Sequence, residues 1–154
     1  MTNYEANKQR IQSAQQYPEK PVNRRLQIIV DAIPPGSRVL DVACGTGRVL
    51  QGVLAKDCSG RGIDLSLPAT HAAREKGLDI VQGDVDAYER EAAVRELLFA
   101  RYDVVIFSKC LMYLTCDNRS PNGLPSRSGL KSALQSSRHV IGISQLHRSG
   151  LERV

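Results

Sequence analysis

The stretch Val39-Leu40-Asp41-Val42-Ala43-Cys44-Gly45-Thr46-Gly47 constrains the fold more than any other part of the chain. A short apolar run meets an acid, passes through small residues and glycines, and then resumes at helical spacing through Val49, Leu50, Val53 and Leu54. The pattern predicts a buried strand over 38–42, a tight turn, and a helix over 48–56, a unit whose backbone can approach a ligand closely. The same alternation surrounds it. Leu26, Ile29, Val30 and Ile33 recur at helical spacing until Pro34-Pro35-Gly36 stops them. A second strand is expected over 60–65, a helix over 68–76 with proline in its first turn, and a third strand over 79–82. A helix follows over 89–100, with Ala93, Leu97 and Ala100 on one face. The run Val104-Val105-Ile106-Phe107 makes 102–108 the strongest strand, and its unbroken apolarity suits a parallel strand covered on both sides. Strands alternating with helices of about ten residues form stacked βαβ units with right-handed crossovers. The expected fold is therefore α/β, a doubly wound and mostly parallel sheet.

At 154 residues one domain is expected, with a polar helical lead-in or a mobile arm or lid over 1–22, a core over 23–114 and a tail over 115–154. No apolar run approaches the ~18 residues that cross a bilayer, so no membrane span is expected. The start, Met1-Thr2-Asn3-Tyr4-Glu5, carries no basic segment followed by an apolar one. Cys44, Cys58, Cys110 and Cys116 form no Cys-x-x-Cys pair, which argues against a disulfide scaffold or a zinc site and for a reduced, cytoplasmic chain. The net charge of +5 has one source. Acids and bases balance up to Asp117, whereas Arg119, Arg127, Lys131, Arg138, Arg148 and Arg153 face only Glu152 beyond it. These bases are scattered among Ser, Gly and Pro with no aromatic partner, so nucleic-acid binding is not expected.

Beyond Leu114 the alternation weakens. Residues 118–128 read as a loop, 129–137 as a short helix and 139–144 as a fifth strand, which leaves the sheet incomplete at its C-terminal edge. A truncated, a frameshifted and a naturally short chain all show such a change, and the sequence leaves the three open. An open strand edge invites pairing, so a homodimer or a protein partner across that edge is expected.

Asp41, Asp64 and Asp84 each fall at the expected carboxyl end of a strand, where open α/β sheets bind ligands. The glycine pattern is not the dinucleotide fingerprint, because Leu50 stands where its third glycine belongs. Nor is it a phosphate loop, since no Gly-Lys-Ser/Thr follows, and Asp41 would repel a pyrophosphate. An acid beside a glycine turn suits a ligand that offers donors or positive charge. Asp64, about twenty residues after the turn, suits the vicinal hydroxyls of a ribose. Asp84 suits an exocyclic amine, with Val85 packing on a base.

Together these residues resemble the class I S-adenosylmethionine-dependent methyltransferases. Val39–Gly47 is similar to their first motif, Gly62-Ile63-Asp64 to the second, Gly83-Asp84-Val85 to the third, and Tyr102–Ser108 to their fourth strand. A narrower resemblance, through Ile33–Asp41, Lys76–Asp86 and Tyr102–Ile106, is to the MetW family of methionine-biosynthesis proteins. The resemblance implies a Rossmann-like methyltransferase fold. It also implies S-adenosyl-L-methionine held by Asp41, Ala43, Cys44, Gly45, Thr46, Gly47, Asp64, Leu65, Asp84, Val85 and Ser108. Ala43 departs from the family at the first glycine of the loop, and the family's seven strands exceed the five available here.

Methyl transfer from a sulfonium depends chiefly on placing the acceptor in line. Ser108, Lys109, Cys110 and Tyr113 follow the fourth strand and face the expected substrate, but no catalytic residue is assigned. For His71, His139 and His147 no carboxylate or ligand partner is expected. Tyr4 and Tyr17 lie on the polar arm. The leading expectation is methyl transfer to a small molecule. The alternative is a regulatory cofactor-binding protein of MetW type that partners a homoserine acyltransferase, and Leu50 disfavours a nicotinamide dehydrogenase.

Overall fold

A computed structural model describes residues 3–15, 23–108 and 139–143 of the chain. Helix α1 spans Asn3–Ser13 and α2 spans Arg24–Ala32. Strand β1 (Arg38–Val42) leads to α3 (Arg48–Leu54), β2 (Ser59–Asp64) to α4 (Leu67–Glu75), and β3 (Asp79–Gln82) through a 3-10 turn at Val85–Ala87 to α5 (Ala92–Phe99). Strands β4 (Val104–Ser108) and β5 (His139–Ile143) complete the described sheet. Its order is β3-β2-β1-β4-β5, and every pairing is parallel. The doubly wound α/β expectation holds. The chain first steps outward from β1 to β3, then returns to lay β4 on the other side of β1. The β1/β4 boundary is thus the topological switch point, where such sheets bind ligands at the strands' carboxyl ends.

Local chemistry sets the element ends. Asn23 caps α2 by accepting from the Leu26 N–H at 3.1 Å, and the chain leaves the helix at Ile33 before the two prolines. Lys56 Nζ closes the other end, donating to the Val30 carbonyl at 2.8 Å and to that of Ile33. Ser66 caps α4 through the Ala69 N–H at 3.3 Å, one position earlier than the spacing suggested, so Pro68 lies just inside the helix.

Burial alternates along the central strands because successive side chains point to opposite faces. Val39, Val104 and Ile106 join the layer under α2 and α3, with Ile29, Leu50 and Val53. Leu40, Val42, Val105 and Phe107 join the opposite layer, with Val94, Leu97 and Leu98 of α5. Asp41 therefore shares its face with Val39 and is 1% exposed.

Two expectations are corrected. Helix α5 is shorter than 89–100, and it buries Val94, Leu97 and Leu98 while Ala93 is exposed. Valine and leucine remove more apolar area from water than alanine, so the helix turns them inward. His71 does have a carboxylate neighbour, since its Nδ1 lies 3.6 Å from Glu75 Oε1 one turn along an exposed face. The fifth strand forms as expected, from Val104↔His139 to Ser108↔Ile143 in register. The expected loop at 118–128 and helix at 129–137 lie outside the described residues.

Candidate functional site

Three parallel neighbours, β3, β2 and β1, end side by side, which brings Asp84, Asp64 and Asp41 to one edge of the sheet. The turn after β1 is a chain of left-handed residues: Ala43 at φ 59°, Gly45 at 57° and Gly47 at 74°. It is closed by the Gly47 N–H donating to the Cys44 carbonyl at 3.0 Å and tied to β2 by the Cys44 N–H donating to Ile63 at 3.1 Å. Two glycines make this path accessible without steric cost. A side chain at Gly47 would also force Leu78 to move, because an added Cβ would overlap Leu78 Cδ1. Gly62 is equally confined: a Cβ would meet Cys44 Sγ and Ile80 Cδ1, each at 2.7 Å.

Ala43 has the same left-handed backbone but pays for its Cβ, at about 1–2 kcal/mol. Its side chain is exposed, so little packing would be lost with it. Ala43→Gly is expected to stabilise the chain by about 0.5–1 kcal/mol, the relieved strain less the entropy that glycine adds to the unfolded state. The midpoint of urea unfolding measures it, and a lowered midpoint would contradict the strain.

Asp64 holds the site together. Its Oδ2 accepts from the Gly45 N–H and its Oδ1 from the Ser66 N–H, both at 2.8 Å, and its carbonyl accepts from Gly83 at 3.0 Å. One carboxylate thus locks the glycine turn, the start of α4 and the end of β3. Each oxygen keeps acceptor capacity after one such bond. Burial raises the Asp64 pKa, while the N–H groups of Ser66, Gly45 and Leu65 pull it back.

Asp41 has no such support. Its Oδ1 is buried and has no hydrogen-bond partner among the described residues. Burial first, and the charge of Asp64 second, raise its pKa from 3.8 to about 8. Cys44, half-buried beside it, is pushed upward by burial and then by Asp41 and Asp64, so it is a packing thiol rather than a nucleophile. Thr46 is buried, and its carbonyl accepts from Lys76 Nζ at 3.4 Å.

Leu65 and Asp84 are half-buried at the same edge, with the Asp84 carbonyl accepting from the Ala87 N–H at 2.9 Å. Val85 is half-buried against the α5 layer. Ser108 is the last residue of β4. Lys109, Cys110, Tyr113, Tyr17 and His147 lie outside the described residues. The structure thus gathers the acids and the turn at one edge. The spacing did not reveal the Leu78 wall behind Gly47 or the lysine clamp on Thr46, since both are long-range contacts to residues of unremarkable type. Among the described residues no cluster of His, Cys, Asp or Glu could hold a metal, and no helix is long and apolar enough to cross a membrane.

The family model described as methionine biosynthesis protein MetW matches residues 23–123. Comparison with curated proteins gives no match. Among solved structures, a SAM-dependent methyltransferase from Thiobacillus denitrificans, in complex with S-adenosyl-L-homocysteine, aligns with a TM-score of 0.55 at 19% identity, covering 86% of this chain and 52% of that one. A second, from Geobacter sulfurreducens with the same ligand, gives 0.53 at 19%, covering 88% and 54%. A TehB-like SAM-dependent methyltransferase from Corynebacterium glutamicum gives 0.53 at 17%, covering 87% and 64%. The fold is that of the SAM-dependent methyltransferases, and the chain spans between half and two thirds of the length of these three.

Proposed function

The chain belongs to the MetW family, and from that premise we propose that it binds S-adenosyl-L-methionine at the edge built by Asp41, Ala43–Gly47, Asp64, Leu65, Asp84, Val85 and Ser108 and transfers its methyl group to a small molecule. The observation that carries this reading is the pairing of a buried Asp41 oxygen, without a hydrogen-bond partner among the described residues, with an Asp64 carboxylate of spare acceptor capacity. A nucleoside bearing an amino acid offers what both lack: vicinal hydroxyls for Asp64 and N–H donors for Asp41. The glycine turn lets the ligand lie against backbone, and half-buried Leu65 and Val85 supply apolar surface for a base.

When bound, S-adenosylmethionine supplies a methyl group on a positively charged sulfur. The chain's own residues then orient the ligand. Asp64, itself fixed by two backbone N–H groups, sets the ribose position relative to the turn. Asp41 adds negative charge in a site where burial weakens dielectric screening. In-line placement supplies much of the rate in such a reaction, and no general base among the described residues is needed to explain it. The reading puts the chain in the cytoplasm, consistent with the free thiols of Cys44 and Cys58.

The test is calorimetric titration with S-adenosylhomocysteine. Asp64→Ala is expected to weaken binding by about 1–3 kcal/mol, the cost of leaving ribose hydroxyls unpaired, and Asp64→Asn by less, because one acceptor oxygen remains. Wild-type affinity in a folded Asp64→Ala chain would sink the assignment. Release of methyl groups to metabolite pools then separates an enzyme from a cofactor-binding protein without turnover.

A further inference from the structure

The described carboxylate with the least support is Asp41. It lies at the switch point with its backbone opposite Gly62 of β2 and Ile106 of β4, and it is 1% exposed. Its Oδ1 meets no donor among the described residues. The elements packed against it offer little compensating charge. Strand β4 is apolar up to Ser108. On β1 and β2 the bases are Arg38, at the start of β1, and Arg61, in register with Leu40 and so on the other face of the sheet from Asp41; they pair with Asp103 at 3.5 Å and Asp79 at 2.7 Å. Helix α3 contributes one charged residue, the half-buried Arg48 at its start. Asp64 closes β2 and adds a like charge, and Cys44 adds a thiol. A bare carboxylate so placed is costly, and a proton is the simplest relief.

We infer that Asp41 carries a proton while the site is empty and surrenders it to solvent when the ammonium of S-adenosylmethionine binds, so that cofactor uptake releases a proton. This rests on the cofactor reading above. The balance is simple: the Asp41 O–H bond breaks, its proton passes to the buffer, and the carboxylate left behind accepts an N–H from the ligand. The ammonium is the group concerned because it brings N–H donors to Oδ1, whereas the sulfonium brings none. The burial-raised affinity of Asp41 for its proton places the exchange at neutral pH.

Three ligands separate the possibilities: S-adenosylmethionine, S-adenosylhomocysteine, which keeps the ammonium but is no sulfonium, and 5′-methylthioadenosine, which has neither charge. Titrations run between pH 5.5 and 7.0, below about 7.7–8.0 where a free α-amino group itself titrates. Affinity for the first two is expected to rise about tenfold per pH unit, the limit for one proton released. Affinity for methylthioadenosine is expected to stay flat. At pH 7.0 the heats of the first two should differ between phosphate and imidazole buffers by one proton's ionisation. Infrared difference spectra should show a protonated carboxyl band lost on adding S-adenosylhomocysteine, a loss missing in Asp41→Asn. Binding of all three with no pH slope and no buffer dependence would overturn the proton exchange and leave the cofactor reading intact. No binding by any of the three would overturn the cofactor reading, and the exchange with it. The wild-type slopes decide the matter even if Asp41→Asn does not fold.

Discussion

Gly47→Ala is expected to cost about 2–4 kcal/mol of stability and to lower the melting temperature by roughly 10 °C. Two effects add at this position. The backbone is left-handed, at φ 74°, which charges a Cβ about 1–2 kcal/mol. That Cβ would also overlap Leu78 Cδ1, in a side chain only 7% exposed that belongs to the same core cluster as Ala73 and Ile80. Moving it costs about a further 1–3 kcal/mol in a packed core. Gly77→Ala is the control, since Gly77 has φ 78° but nothing within 4 Å of its added Cβ. It should show the backbone strain alone. Equal losses in the two variants by thermal unfolding would mean that Leu78 yields freely.

The second large effect is a stability that depends on the charge of Asp41. Its pKa rises from 3.8 to about 8 on folding, so between these values the folded chain holds a proton that the unfolded chain has lost. Stability linked to this group is whole below pH 3.8 and falls as pH rises toward 8, after which it is constant. Each pKa unit is worth about 1.4 kcal/mol, so after relaxation the loss is on the order of 3 kcal/mol. Asp41→Asn cannot ionise. The variant should match wild type near pH 4.5 and exceed its stability by about 2–3 kcal/mol near pH 8.5, measured by urea unfolding at both. A stability difference that does not change with pH would show that Asp41 is not desolvated in the folded chain.

The frame of this molecule was readable because local signals agreed with one another. Val39–Gly47 announces strand, turn and helix within nine residues, and the structure places β1, the left-handed turn and α3 there. Asp79–Gln82 and Arg38–Val42 appear as strands with the expected bounds, because short apolar runs between turn residues leave few alternatives. Even His139–Ile143 pairs as a strand, on the strength of Val140, Ile141 and Ile143. Helix α5 was less readable, because three small or apolar residues in a row, Ala92, Ala93 and Val94, allow two faces and only packing against Tyr102 and Phe107 selects one.

At the site, the three acids were legible but their differences were not. In sequence Asp41 and Asp64 are equivalent strand-terminal acids. In the fold Asp64 gains two backbone N–H donors, while Asp41 is buried between β2 and β4 with an oxygen that meets no donor among the described residues. That contrast arises from register and from neighbours far away in the chain, which spacing does not encode. The same holds for Leu78 behind Gly47 and for Lys76 on Thr46.

The central claim is a site for an adenosyl ligand with an amino-acid end, rather than a nicotinamide dinucleotide. Parallel calorimetric titrations of the chain with S-adenosylhomocysteine and with NAD test it most directly. Saturable one-to-one binding of S-adenosylhomocysteine, with no heat from NAD, is the predicted result; saturable binding of NAD, with none of S-adenosylhomocysteine, would contradict it.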